Sequence, residues 1–464
     1  MPISITRSRA SIRARTLPLL LSSILAGGCA LTPRDLPEEQ ARLAAAGAAF
    51  EPALEQRVLP APSSADDWGA FVHRALLANG ELEAAYFEWK AALEKVRGAS
   101  AWPNTNVAVG YETMFDGAGA FTAGFDPMEN LAFPTKTKKA GEIALEEARA
   151  AAERFRAAKF SLQRRVLEKW LDMVIAAERE RIRVQRRSLS GLSRIAGSVA
   201  LTGGESSTEA VEAGLEELRR TNEIGTTGAE LLQARAVLAS MTAVASPESI
   251  GVPARLPRPR TVPDDRTLLL TAAGSNPELA ELAAMVRGRQ GEIDLARMQW
   301  IPDISPSFSF EDLATEVFGI MATLPTTVVE IRSSIAQAAA LRSAADARLM
   351  QAERDRMGEF LAAVIALRNA ERVRDFLQRR IIPLADTLVA TARSNYVSGQ
   401  SSLAALVEAH EAVLDARLEV AESAIERERR VAEVEALAGV DMEAIVAGST
   451  ALASMPARRE GAVR

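Results

Sequence analysis

Much of this sequence is written twice. Asn79-Gly80-Glu81-Leu82 returns as Asn276-Pro277-Glu278-Leu279, and Trp102-Pro103 as Trp300-Ile301-Pro302. Phe133-Pro134 is matched by Leu324-Pro325, and Trp170-Leu171-Asp172-Met173-Val174-Ile175 by Phe360-Leu361-Ala362-Ala363-Val364-Ile365. Gly204-Glu205-Ser206-Ser207 answers Gly399-Gln400-Ser401-Ser402. By subtraction of position numbers, the matched places lie 197, 199, 191, 190 and 195 residues apart. A steady spacing with small insertions marks an internal duplication. Between the copies, Pro247 to Pro263 holds five prolines and reads as a linker.

Each half follows one grammar: a helix up to the Trp-Pro mark, a short alternating segment, a long helix from the next proline, a Gly-Ser turn, and a return helix. Thr135 to Thr202 contains no proline. A continuous helix over that run is on the order of 100 Å long. Ala148, Ala151, Phe155, Ala158, Leu162 and Val166 recur at steps of three and four, as do Leu403, Leu406, His410, Val413 and Val420. Such seams belong to coiled coils, and helices this long have to pair along their length.

The alternating segments predict two hairpins. Val107, Val109 and Tyr111 alternate with smaller or polar residues, Asp116-Gly117-Ala118-Gly119 is a turn signal, and Phe121, Ala123 and Phe125 continue. In the second half Phe308 and Phe310 are followed by Phe318, Ile320, Ala322 and Leu324. Strands of this length suit an outer-membrane barrel, and Trp102 and Trp300 stand where interfacial anchors belong. Four strands cannot close a barrel, and open edges in lipid leave backbone groups unpaired. Several copies must then contribute; three would supply twelve strands, although the number does not follow from this argument.

The first residues read as a targeting segment. Arg7, Arg9, Arg13 and Arg15 precede the apolar run Leu17 to Leu25, which is too short to span a bilayer, and Leu25-Ala26-Gly27-Gly28-Cys29 follows. This is similar to a bacterial lipoprotein signal, with Cys29 as the lipidated residue. The other reading is an ordinary secretory peptide with a leftover thiol, but Cys29 is the only cysteine and has no disulfide partner in the chain. Removing residues 1–28 takes away four arginines and no acids, so the formal charge moves from −6 to −10, a poor balance for nucleic-acid binding. After the signal no stretch of about 20 apolar residues remains, so any membrane crossing falls to strands.

No catalytic or metal-binding constellation emerges. His73 and His410 stand far apart, and His410 reads as a packed or interfacial seam residue. Gly203-Gly204 lacks the lysine of a phosphate loop, and Ser206-Ser207 lacks a local base. The charged run Arg427 to Arg430 reads as a solvated helix face.

With these features assembled, the chain resembles the TolC family of outer-membrane efflux proteins from about Trp68 to Gly439. The resemblance rests on the duplicated helix–hairpin–helix, the Asn-Pro-Glu-Leu opening of the second half, and Asn395-Tyr396-Val397-Ser398-Gly399 followed by Leu403, Leu406 and Glu408. The signal at Cys29 makes it similar to the lipoprotein branch. The resemblance implies a mainly α fold with a small β part, long coiled-coil hairpins forming a periplasmic tunnel, and four strands per chain in a twelve-stranded barrel of a homotrimer. It implies docking onto a periplasmic adaptor bound to an inner-membrane pump, with Gly204 and Gly399 at the adaptor-facing tip turns. Family members often narrow the tip with acids six and nine places after the second glycine. Those places are Ala405 and Glu408 here, leaving Glu408 as the candidate constriction. Ser401 stands where some members carry an arginine, and the first-half places are Ala210 and Ala213.

The expected organisation is a signal peptide (1–28), an N-terminal extension (29–67), a first repeat (68–246), a Pro-rich linker (247–266), a second repeat (267–445) and a tail (446–464). The expected function is passive conduction of exported drugs or metal ions from pump and adaptor across the outer membrane, by a lipid-anchored protein that is not an enzyme and holds no cofactor or metal. An exit for a type I protein secretion system, and a structural coiled-coil lipoprotein without a pore, remain as alternatives.

Overall fold

The computed structural model describes residues 31–61, 68–101, 106–113, 119–126, 134–201, 207–311 and 315–442. They fall into two compact units. One comprises Met1–Ala46, Phe87–Ala152 and Glu281–Met350; the other comprises Gly47–Tyr86, Glu153–Ala280 and Gln351–Arg464.

After α1 (Leu36–Gly47), the elements repeat in order. The first series is α2 (Trp68–Ala78), α3 (Gly80–Ala99), β1 (Asn106–Thr113), β2 (Gly119–Asp126), α4 (Pro134–Leu201) and α5 (Ser207–Met241). The second is α6 (Asp265–Ser275), α7 (Pro277–Arg297), β3 (Asp303–Glu311), β4 (Thr315–Thr323), α8 (Val328–Phe376), a π-helical turn at Leu377–Ile381, α9 (Ile382–Val397) and α10 (Leu403–Ala438). The repeated Asn motif has a local cause. Asn79 Oδ1 accepts from the Leu82 amide at 2.9 Å, and Asn276 Oδ1 accepts from the Leu279 amide at 2.9 Å. Each caps the helix that follows, satisfying an amide that has no carbonyl a turn behind it.

The two long helical runs start differently. Helix α4 begins on Pro134, whose missing N–H falls where no intrahelical partner exists. The second run does not start at Pro325 as the motif match suggests. Thr326 N donates to Leu324 O at 2.9 Å and Val328 N to Thr326 O at 3.0 Å, and these tight turns delay α8 to Val328. The run is then interrupted ahead of Pro383. A proline inside a helix removes one hydrogen bond and crowds the carbonyl four residues back, and a π turn opens the room it needs.

The predicted seam of α4 is buried at Ala148, Ala151, Phe155, Leu162 and Val166, with Ala158 half-buried. On α10 the seam is displaced. The buried stripe runs through Ala409, Val413 and Ala416, so His410 lies roughly 100° off it and is exposed. The reading of His410 as a packed residue does not hold within one chain.

The extension before the first repeat is part of the folded body. In the first unit Leu36 and Leu43 are buried, and Arg149 pairs with Asp35 at 2.8 Å, Glu39 at 3.3 Å and Glu146 at 2.6 Å. In the second unit Phe50 stacks on Tyr86 with centroids 5.2 Å apart. Arg57 reaches Glu83 through two nitrogens, at 3.0 and 2.5 Å.

The linker is equally well held. Ile250 is buried, and Arg260 is only 8 % exposed. Arg260 Nε donates to Glu428 at 2.9 Å and Nη1 to Glu435 at 2.7 Å, with the guanidinium 5.2 Å from the centroid of the Trp68 ring. Arg427 donates to the Arg260 carbonyl at 2.7 Å, meets Glu371 at 3.1 Å and also contacts Glu428. Arg427 and Glu428 are therefore interior residues and not a solvated face; Arg429 and Arg430 remain partly exposed. Burial opposes the Arg260 charge, but Glu435 and Glu428 outweigh it and hold the guanidinium above its ordinary range. Burial also pushes the Glu435 carboxyl up, against the pull of Arg260.

Helix α10 ends on Gly439 in the left-handed region, φ +65. A Cβ there would stand 2.5 Å from Pro277 Cδ and 2.9 Å from the Ser275 carbonyl oxygen. The Gly439 carbonyl accepts from Arg156 at 2.7 Å, and Asn276 Nδ2 donates to Leu437 O at 2.7 Å.

Two stability predictions follow from this packing. Gly439→Ala combines left-handed strain with overpacking and is expected to cost about 2–4 kcal/mol in denaturant unfolding. Arg260→Met leaves Glu435 buried without its cation and Glu428 with Arg427 alone, at an expected cost of about 3–5 kcal/mol. A change below about 1 kcal/mol in the same titration would mean that the cluster is hydrated and not buried.

Candidate functional site

In the first unit the strands form one antiparallel sheet in the order β1-β2-β3-β4. The pairing of β2 with β3 joins the hairpins of the two halves, with Ala123 opposite Phe310 and Phe125 opposite Phe308. The register puts the alternating apolar positions in rows: Val109 opposite Ala123 and then Phe310, and Val107 opposite Phe125, Phe308 and Phe318. Val109, Tyr111 and Ile320 are 66 %, 67 % and 65 % exposed, an expensive way to present apolar side chains to water. Met321, opposite Ser305 and off those rows, is as exposed, so the alternation is imperfect. The sheet has two outer edges, β1 and β4, each with a line of backbone groups that no strand of this sheet satisfies.

Trp300 closes a short 3₁₀ turn just before β3 and is half-exposed. Beside it, Lys136 of α4 donates to the Ile301 carbonyl at 2.7 Å and pairs with Asp303 at 2.8 Å, fixing the entry of β3. Trp102 and Cys29 lie outside the described residues, as does Gly204.

In the second unit the turn between α9 and α10 is built on Gly399, φ +75. Gln400 N donates to Asn395 O at 2.8 Å and Gly399 N to Tyr396 O at 3.1 Å, the two bonds that finish a helix when its next residue turns left-handed. Ser402 then caps α10 by accepting from Ala405 N at 3.3 Å. The motif Asn395 to Gly399 is thus a helix stop followed at once by a helix start. Around it Val397 is 79 % exposed and Tyr396 is half-exposed. Glu408 is exposed on α10, with no hydrogen-bond or ion-pair partner among the described residues.

A further feature was not read from the sequence. Met357, Leu361, Ile365, Phe376, Leu384 and Leu388 are all exposed at helical spacing along α8 and α9. Core residues Phe360, Val364 and Leu367 occupy the neighbouring stripe of α8, so the helix has two apolar stripes and this unit covers one. The signal was present in the sequence as a seam too wide for one partner.

Among the described residues, no cluster of metal-ligating side chains occurs and no helix is long and apolar enough to cross a membrane. A cavity of about 600 Å³ between α4, α5 and α10 is lined by charges, but Arg179 pairs with Glu422 at 2.7 Å and Arg429 with Asp172 at 2.6 Å.

No family model and no curated protein matches the sequence. Solved structures do match. A membrane protein from Pseudomonas aeruginosa is 18% identical with a TM-score of 0.67, over 84% of this chain and 97% of the other. The open state of the Neisseria gonorrhoeae MtrE outer membrane channel is 16% identical with a TM-score of 0.67, over 81% and 89%. The Campylobacter jejuni CmeC outer membrane channel is 15% identical with a TM-score of 0.67, over 82% and 89%. Between 89% and 97% of each of these chains is matched, and the chain accordingly has the fold of the TolC-family outer-membrane channels.

Proposed function

We propose that this protein is the outer-membrane exit duct of a multicomponent efflux system, working as a homotrimer whose three four-stranded sheets close one twelve-stranded barrel. The observation that carries the reading is the sheet with two open edges and the exposed Val109, Tyr111 and Ile320. In lipid, each unpaired edge group costs several kcal/mol, and edge-to-edge closure with further copies removes the cost. The exposed stripe on α8 and α9 supports the same assembly, because a second copy would cover it. Conduction is passive: the pore supplies a path, and the direction comes from a pump acting through a periplasmic adaptor. The turns at Gly399 and Gly204 are the proposed adaptor contacts, and Trp300 and Trp102 the interfacial anchors. Lipid attached at Cys29 holds the mature chain to the outer membrane. Glu408 is the candidate acidic ring of the conduit, one acid from each copy. Small solutes, drugs or metal ions, are the proposed cargo.

Reconstitution in planar bilayers is the direct test. Discrete conductance steps with cation preference are expected, and Glu408→Ala should lower the preference while leaving the steps. A folded oligomer that gives no conductance, with or without adaptor, would favour a structural role. In cells, radiolabelled palmitate should be incorporated by the native chain and not by Cys29→Ser; equal labelling of both would remove the anchor.

A further inference from the structure

We infer that a three-rung charge code between α4 and α10 fixes the heptad register of the two halves and thereby sets the end of α4 level with the Gly399 turn; the inference about that turn's role rests on the duct reading. The rungs are Asp172 with Arg429 at 2.6 Å, Arg179 with Glu422 at 2.7 Å, and Arg186 with Asp415. Partners are seven residues apart on each helix, and every pair of numbers sums to 601, so the helices run antiparallel in one unbroken register. The same register sets Leu201, the last residue of α4, level with Gln400 in the Gly399 turn.

The first rung has the opposite polarity to the other two, and that reversal is what selects the register. Sliding α10 by one heptad, about 10 Å, leaves the heptad spacing of the seam intact. In one direction the slide sets Arg179 against Arg429, although it gives Arg186 to Glu422. In the other it sets Asp172 against Glu422, although it gives Arg179 to Asp415 and Arg186 to Glu408. Either slide therefore makes a like-charge contact. Each pair is partly exposed and contributes little on its own; the discrimination comes from the repulsion in the wrong register. The code also keeps Glu408 out of the ladder, since only a slipped register offers it Arg186. An exposed Glu408 at the native register agrees with this.

The test uses disulfide trapping in the detergent-solubilised full chain. Ala176 and Ile425 are both buried, both line the cavity beside the ladder, and share the native register. Ala176→Cys with Ile425→Cys reports that register, and Ala176→Cys with Leu418→Cys reports the slipped one. In the otherwise native chain only the first pair should form an intrachain disulfide, identified by mass spectrometry of the digest. Asp172→Arg with Arg429→Asp keeps every rung paired but gives all three one polarity, so the 176–418 disulfide should appear. Arg186→Glu with Asp415→Arg makes the polarities alternate, so either slide brings like charges together at every rung, and only the 176–425 disulfide should form. That variant also controls for folding of a recharged seam. A 176–425 disulfide alone in the Asp172→Arg/Arg429→Asp chain would overturn the proposal, as would absence of that disulfide from the native chain. Because trapping does not depend on conduction, a chain that keeps the predicted disulfides yet forms no pore would refute the duct and leave the code standing.

Discussion

The pairing of β2 with β3 is the contact on which the rest of the molecule depends. Among the described residues four register pairs make it, from Thr122 with Glu311 to Phe125 with Phe308. It nevertheless joins hairpins from opposite halves of the chain into one sheet. Each hairpin alone would be marginal, since a two-stranded ribbon buries too little to stand in water or lipid. Joining them yields a single ordered strand series whose outer edges belong to different halves, β1 to the first and β4 to the second. A sheet built this way repeats naturally head to tail: the β4 of one copy is free to meet the β1 of the next. In the proposed duct, the duplication of the sequence is thus carried into a surface that closes by repetition of the whole chain.

The helices meet the same need by other means. Alanine-rich seams such as Ala148 and Ala151 let axes approach closely, but they are poor at fixing position along the axis, because one alanine fits where another did. Charge supplies what shape does not. Arg260 ties the linker to α10 through Glu428 and Glu435, and the rungs from Asp172–Arg429 to Arg186–Asp415 tie α10 to α4. The interior cluster costs desolvation and fixes one arrangement. The exposed ladder is weak and selective.

Features with a local cause were legible in the sequence. The proline start of α4, the glycine stop at Gly399 and the alternation of Val107, Val109 and Tyr111 with Ala108 and Gly110 each depend on a few neighbouring residues, and each stands where its motif placed it; the repeated Asn79 and Asn276 were legible as a motif, and the structure adds their capping role. What was missed depends on distant partners. Nothing near Arg260 signals that a proline-rich linker would send an arginine inward, and the Arg427–Glu428 pair looks like any charged helix face until Glu371 and Arg260 arrive beside it. Pro383 lies in plain sight, but whether a proline ends a helix or is absorbed by a π turn depends on the packing of Ala385 and Val413 around it.

The number of chains in the assembled particle tests the central claim most directly. Native mass spectrometry of the full-length protein, extracted from outer membranes in mild detergent, should give a mass three times that of the lipidated mature chain, with no folded single chain at equilibrium. A stable folded monomer would contradict the account, because the strands would then have to satisfy their outer backbone groups within one chain.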